Sequence, residues 1–309
     1  MPVYSTASLL ATIKRKAFIP STQETFTDED LLAIATEEMH NTLLPAILNT
    51  REEYYVVRQT IPLVSGIKNM SYDIPSRAVG MGLRELSQTV GGVERNMPRM
   101  EIEDKVYDDF SSNSCGFYIK NNTIYTFGTQ DGDLNMYYYL RPGDLVKTDE
   151  ATTIVSYDSD NKQIVVANVP SGWTTGTVID VVNNKPGFDT RMISNTIASV
   201  SGTTITLSEA FPTRNNGDSL VAAGMWVTQE ETSPVPQIPV EFFQYLAEAV
   251  TAYVMESQGD QDGYVRAQQR MQQMLTNAQK TISPRVDGES KKFVRRSNRG
   301  SFSYNNWRY

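Results

Sequence analysis

Few residues of this 309-residue chain have the types and spacing that chemistry needs. Cys115 and His40 are each the single residue of their kind. A nucleophile needs a base beside it, and one histidine with one cysteine excludes most triads and dyads. Cys115 is followed by Gly116 and has no base near it in sequence. The chain holds no HExxH, no CxxC and no GxxxxGK[ST], so zinc-protease, cysteine-built metal and phosphate-loop patterns are missing. Asp131-Gly132-Asp133 resembles the start of a calcium loop. No glutamate stands where an EF-hand would close the ion, so a turn is the better reading. Asp108-Asp109 and Glu230-Glu231 are paired carboxylates. Paired acids serve a glycosidase only inside a cleft, which neighbouring positions do not imply. These observations give no catalytic, cofactor or metal residue, and the expectation is a protein that is not an enzyme.

One stretch does carry strong binding chemistry. Arg285, Lys291, Lys292, Arg295, Arg296, Arg299 and Arg308 follow the last periodic segment, with only Asp287 and Glu289 against them. Phe293, Phe302, Tyr304, Trp307 and Tyr309 are interleaved. Seven cations less two anions leave +5, and the chain total is −8, so the remainder carries −13. An acidic body with a basic end points to an acidic partner for that end, nucleic acid or protein. Arginine suits bidentate contact with carboxylates, and aromatic side chains suit pockets. No run of about 18 apolar residues is present, so no membrane span is expected. Lys14, Arg15 and Lys16 come after a weak apolar patch, the reverse of a signal peptide.

The elements that must position this segment come next. Pro236, Pro239 and Glu241 suit a helix start, and Phe243, Leu246, Ala247, Val250, Tyr253 and Val254 form one apolar stripe. Gly259 suits a left-handed C-cap. Tyr264, Ala267, Met271, Met274, Leu275, Ala278 and Ile282 make a second stripe that Pro284 stops. The short link between them predicts a helical hairpin. Thr27 followed by Asp28, Glu29 and Asp30 predicts another start, for a long helix through Leu31, Ala35, Met39, Leu43 and Ile47 that Pro45 kinks near Asn41. His40 lies off that stripe and reads as a surface residue. Val57, Gln59, Ile61 and Leu63 alternate as a strand would. Pro75 then predicts a third helix through Leu83, Leu86 and Val90, with Gly80 and Gly82 reserved for close approach of another backbone. From Ser111 to Ser233 short strand-like runs alternate with turn signals, as in a small barrel or sandwich.

The expected fold is therefore α+β. A helical bundle domain, made of a long N-terminal helix and a C-terminal hairpin, carries an inserted all-β barrel or sandwich and ends in an extended arm. The expected divisions are 1–110, 111–233, 234–284 and 285–309.

Four passages together resemble a tailed-bacteriophage head-to-tail connector of the podovirus type, an adaptor or head-completion protein. They are TDEDLLAIATEEMHNTLLPAILNTREEYY at Thr27–Tyr55, the Y-x-I-P-x-RA-x-G-x-x-LRE pattern from Tyr72, YLRPGDLV at Tyr139–Val146, and IPVEFFQYLAEAV with its closing SPRV between Ile238 and Val286. The resemblance covers about half the chain and rests on the order of the passages. It implies a homo-oligomeric ring of twelve subunits under the portal protein. Its tail side would meet nozzle, tail-tube or fibre proteins. DNA would pass through the channel without specific binding. The protein would be assembled in the host cytoplasm and reside at the head–tail interface of the virion. The portal-binding arm would be Arg285, Lys291, Lys292, Phe293, Arg295, Arg296, Arg299, Phe302, Tyr304, Trp307 and Tyr309. Three rival classes remain beside it: a tail-associated glycan- or receptor-binding protein that stacks sugars on Trp173, Trp226 and Tyr137 to Tyr139, a nucleic-acid-binding protein acting through its basic end, and a hydrolase.

Overall fold

A computed structural model describes residues 4–19, 25–63, 70–101, 115–129, 131–213 and 219–283. Helices α1 (Thr6–Lys16) and α2 (Asp28–Glu38) come first. A capping box starts α2. Thr27 Oγ1 accepts from the Asp30 amide, and the Asp30 carboxylate accepts from the Thr27 amide. The helical path then widens into a π turn, Met39–Leu43, before α3 (Leu44–Thr50). Pro45 is the cause: it offers no N–H to the Asn41 carbonyl, and its ring crowds that group. The Leu44 amide instead reaches back to Met39.

Among the described residues, strands follow with no further α-helix until residue 243. They are β1 (Val56–Leu63), β2 (Met70–Asp73), β3 (Ala78–Val90), β4 (Val93–Asn96), β5 (Gly116–Lys120), β6 (Thr123–Phe127), β7 (Gly132–Leu140) and β8 (Asp144–Leu145). Next come β9 (Thr152–Asp158), β10 (Gln163–Val166), β11 (Val178–Val182), β12 (Thr190–Ser201), β13 (Thr204–Leu207), β14 (Trp226–Gln229) and β15 (Thr232–Ser233). Helices α4 (Phe243–Ser257) and α5 (Gln261–Ile282) close the described chain.

The strands make a four-stranded sheet in the order β1-β7-β3-β4, a three-stranded sheet β2-β6-β5, a parallel pair β15-β8, and a closed six-stranded barrel β10-β13-β12-β11-β14-β9. Closure leaves the barrel no free edge. Ile164, Ile179, Val181, Ile197, Ile205 and Val227 fill its interior, and Trp173 closes over them. A second core joins the helices through Leu31, Met39, Leu43, Ile47, Tyr55, Phe242, Leu246 and Val250. A third lies under the open sheets, around Ile124, Leu134, Met136 and Leu140.

This overturns the expected helical bundle. The molecule is α+β but built mostly of strands, and its N-terminal helical stretch is divided by the π turn instead of forming one long bundle helix. The stretch expected as a third helix is β3, paired antiparallel with β7 from Ala78–Leu140 to Thr89–Asp133. The glycines do not admit a second strand: a Cβ on Gly82 would meet only the Val79 carbonyl of its own strand, at 3.3 Å. Gly80 and Met81 take left-handed φ of 62° and 52° at an irregularity in that pairing, and Gly80 faces open space. Pairing also runs across residue 111, since β6 bonds β2 and β7 bonds β1 and β3.

The barrel is tied to the rest by polar groups. Arg77 donates to Asp180 at 2.8 Å, and both are buried. Asp180 also accepts from the amides of Ser194 and Glu231. The loop between β11 and β12 reaches the helical core. The Tyr54 hydroxyl accepts from the Phe188 amide, and the Phe188 ring meets Tyr55 edge-on at 4.9 Å.

Candidate interaction surface

The portal-binding residues nominated from sequence, Arg285 to Tyr309, lie outside the described residues, as does Asp108-Asp109. The described chain ends at Ser283, beside a cleft of about 620 Å³ lined by Arg51, Tyr54, Pro239, Glu241 and Ile282 among others. Burial pushes the Tyr54 hydroxyl up to about 12, so it stays a neutral hydrogen-bonding group in that wall.

The other candidates take structural places. His40 is half-buried, with Nε2 3.0 Å from the Pro142 carbonyl, so it pins the loop before β8 instead of standing free on the surface. Cys115 packs at the margin of the core under the open sheets. Trp173 and Tyr138 are buried in two different cores. Tyr137 and Tyr139 share one face of the four-stranded sheet, where their hydroxyls donate to Glu94 and Glu52. Glu230 accepts from the Ser194 hydroxyl, and Glu231 lies 3.9 Å from Arg77. Among the described residues, no three His, Cys, Asp or Glu gather as a metal site would require. No described helix is long and apolar enough to cross a membrane.

What sequence spacing did not reveal is a groove on the helical layer. Its lining comes from α2 and the π turn (Ile34, Glu37, Glu38, Asn41), from α4 (Ala249, Ala252, Tyr253, Glu256) and from α5 (Tyr264, Gln268, Met271). Its volume is about 240 Å³. Local rules explain each wall. The helical period turns Leu31, Leu32 and Ala35 inward and leaves Glu37 outward. Ala249 and Ala252 are small, so the floor between α2 and α5 stays open. Asp260 caps α5 by accepting from the Gly263 amide, which fixes the start of that helix at Gln261 and so the place of Tyr264 in its first turns.

Electrostatically the groove has one sign. Glu37, Glu38 and Glu256 line it and no cation does. Glu38 accepts from the Tyr245 hydroxyl at 2.9 Å, and burial followed by the Glu38 charge drives that phenol well above its ordinary range. Glu37 and Glu256 have no ion-pair partner among the described residues. A second groove of about 350 Å³ runs along the other side of α2 and shares Glu37, adding Glu29, Asp144 and Glu150 against Lys147. Both grooves combine carboxylates with apolar side chains. They suit a cationic side chain with an aromatic or aliphatic body.

Below the grooves, Glu248 ties three helices together. It is 2 % exposed and accepts from Lys16 of α1 at 2.8 Å and from Arg270 of α5 at 2.6 Å. The two partners hold the α4–α5 wall in place from opposite sides. A scan against protein-family models finds no match to this chain, and a search of curated proteins finds no relative.

Proposed function

We propose that the chain is a structural virion protein, a connector subunit that forms a ring between the portal and the tail and extends the DNA channel. The observation that carries this reading is the segregation of charge along the chain, with aromatic rings interleaved in its basic end. The segment from Arg285 to Tyr309 holds +5 with five aromatic side chains, while the remainder holds −13. A subunit that must grip a large acidic partner at one end, and stay off DNA elsewhere, needs that division. Two further features support it. The four connector-like passages occur in order along the chain. The helical layer and the barrel each have a hydrophobic core, so one chain offers two firm surfaces to different neighbours.

In this reading the aromatics of the arm set affinity and its cations set the encounter rate. Truncating a buried aromatic anchor typically costs roughly 2 kcal/mol or more, whereas a rim charge gives less and loses it to salt. The test is capture by portal. Removing Ser297 to Tyr309 should leave a folded protein that no longer holds portal. Trp307→Ala should weaken holding even in high salt, and Lys291→Ala should matter mainly in low salt. A truncated chain that docks as well as the full one would refute the reading of the arm.

A further inference from the structure

The end of α1 combines two unfavourable features in one residue. The Ile19 amide donates to the Lys14 carbonyl at 3.0 Å, the six-to-one bond of a Schellman ending. Phe18 therefore occupies the left-handed position, with φ of 53°. Glycine fits there without steric cost, and a bulky side chain does not. Ile19 turns inward and packs on the helical core. Phe18 does not: it is 86 % exposed, the barest large apolar side chain among the described residues. The cap bond and the packing of Ile19 account for the turn of the backbone, but the exposed Phe18 ring makes no packing contact of its own among the described residues. Backbone strain of this kind clusters at binding and switch sites.

Arg15 lies one turn before Phe18 and is also exposed. Its neighbours are occupied, Lys14 by Asp28 and Lys16 by Glu248. Arg15 has no ion-pair partner among the described residues. The end of α1 is thus a knob made of one ring and one uncommitted guanidinium. The groove of α2, α4 and α5 offers the complementary chemistry. Tyr253, 49 % exposed, and half-buried Tyr264 give it aromatic walls, and Glu37 and Glu256 give it uncommitted carboxylates. Its volume of about 240 Å³ is on the scale of side chains and below that of typical small-ligand pockets. Because Phe18 is bare, it does not sit in the groove of its own subunit.

We propose that Phe18 and Arg15 of one copy seat in the α2–α4–α5 groove of a second copy, with the ring between Tyr253 and Tyr264 and the guanidinium on Glu37 and Glu256. Knob and groove are different patches of the same molecule, so the contact is head-to-tail. Repeated with the correct rotation, it closes a ring. The inference rests on the connector reading above and names the contact between its subunits.

Sedimentation of the full-length protein over a range of concentrations, with thermal melts of the same samples, tests it. Phe18→Gly should weaken self-association by about tenfold or more, the scale of a lost aromatic anchor. The same variant should melt no lower than the parent, because glycine relieves the backbone. Arg15→Glu should also weaken association, and Arg15→Glu with Glu256→Arg should restore it. Unchanged association of Phe18→Gly, or a parent that stays monomeric at every concentration and on portal, overturns the proposal. So does a melt that falls while association holds, since Phe18 would then serve its own fold. Portal capture separates the two claims. Association through Phe18 without any portal binding sinks the connector reading alone, and Phe18→Gly rings that form normally on portal sink the groove contact alone.

Discussion

Replacing Arg77 by methionine would strand the carboxylate of Asp180 between the barrel and the open sheet. The two groups are 2.8 Å apart and only 7 % and 1 % exposed at their side chains. Burial pushes the Asp180 carboxyl above its ordinary range, and Arg77 with the Ser194 and Glu231 amides pulls it back without cancelling that effect. Without Arg77 the carboxyl climbs further. Removing one partner of a buried pair typically costs about 3–5 kcal/mol, whereas replacing both by apolar groups is often close to neutral. The pH dependence has a definite sign. A carboxyl whose folded pKa is raised binds its proton more tightly in the native state, so its stabilising contribution is complete below the unfolded value of about 4 and is lost as pH rises through the folded value. Arg77→Met should therefore be most damaging at neutral pH and recover on acidification. Arg77→Met with Asp180→Leu should return to within about 1 kcal/mol of the parent and lose that recovery. The assay is urea unfolding followed by tryptophan fluorescence in a Trp307→Phe background, so that Trp173 in the barrel core and Trp226 on β14 report the barrel. A loss under about 1 kcal/mol, equal at pH 5 and pH 7, would refute the argument that the pair holds the barrel.

Other expectations follow from the same contacts. Glu248→Ala leaves Lys16 and Arg270 without their shared acceptor, but at 25 % and 51 % exposure both can turn to water, so it should cost about 1 kcal/mol in a chemical melt of the helical layer. Gly132→Ala should lower the melting temperature clearly, since φ there is 146° and an added Cβ would run into the Thr89 carbonyl of the paired strand. A fragment of residues 150–233 should melt cooperatively, because the barrel closes on itself over its own core. A fragment of residues 111–233 should aggregate, because it strips both partners, β1 and β3, from β7 and leaves β6 with β5 but without β2.

Much of the helical part was legible because its signals are local. Thr27 and Asp30 announce a capping box within four residues, and Phe243, Leu246, Ala247, Val250 and Val254 of the expected stripe are buried in α4, whereas Tyr253, expected with them, is 49 % exposed. Pro45 marked the disturbance near Asn41, but a proline alone does not distinguish a kink from a π turn, which depends on which carbonyl the next free amide reaches. The β3 strand was misread for a physical reason. Leu83, Leu86 and Val90 have helical spacing, and the irregular pairing around Gly80 and Met81 removes the alternation that would have identified a strand. Glu37, Glu256 and Tyr264 each read singly as a solvated side chain. Only the packing of α2 against α4 and α5, which follows from no local pattern, brings them to one groove. Phe18 gave no signal, since its meaning depends on a left-handed backbone that phenylalanine, unlike glycine or asparagine, does not announce.

The claim of a connector is tested most directly by averaged electron images of the purified protein, alone and mixed with the portal of the same virus. The account predicts a closed ring of copies capping the portal, coaxial with its channel, and no such cap when Ser297 to Tyr309 are removed. A portal that stays bare in the presence of the full chain would contradict it.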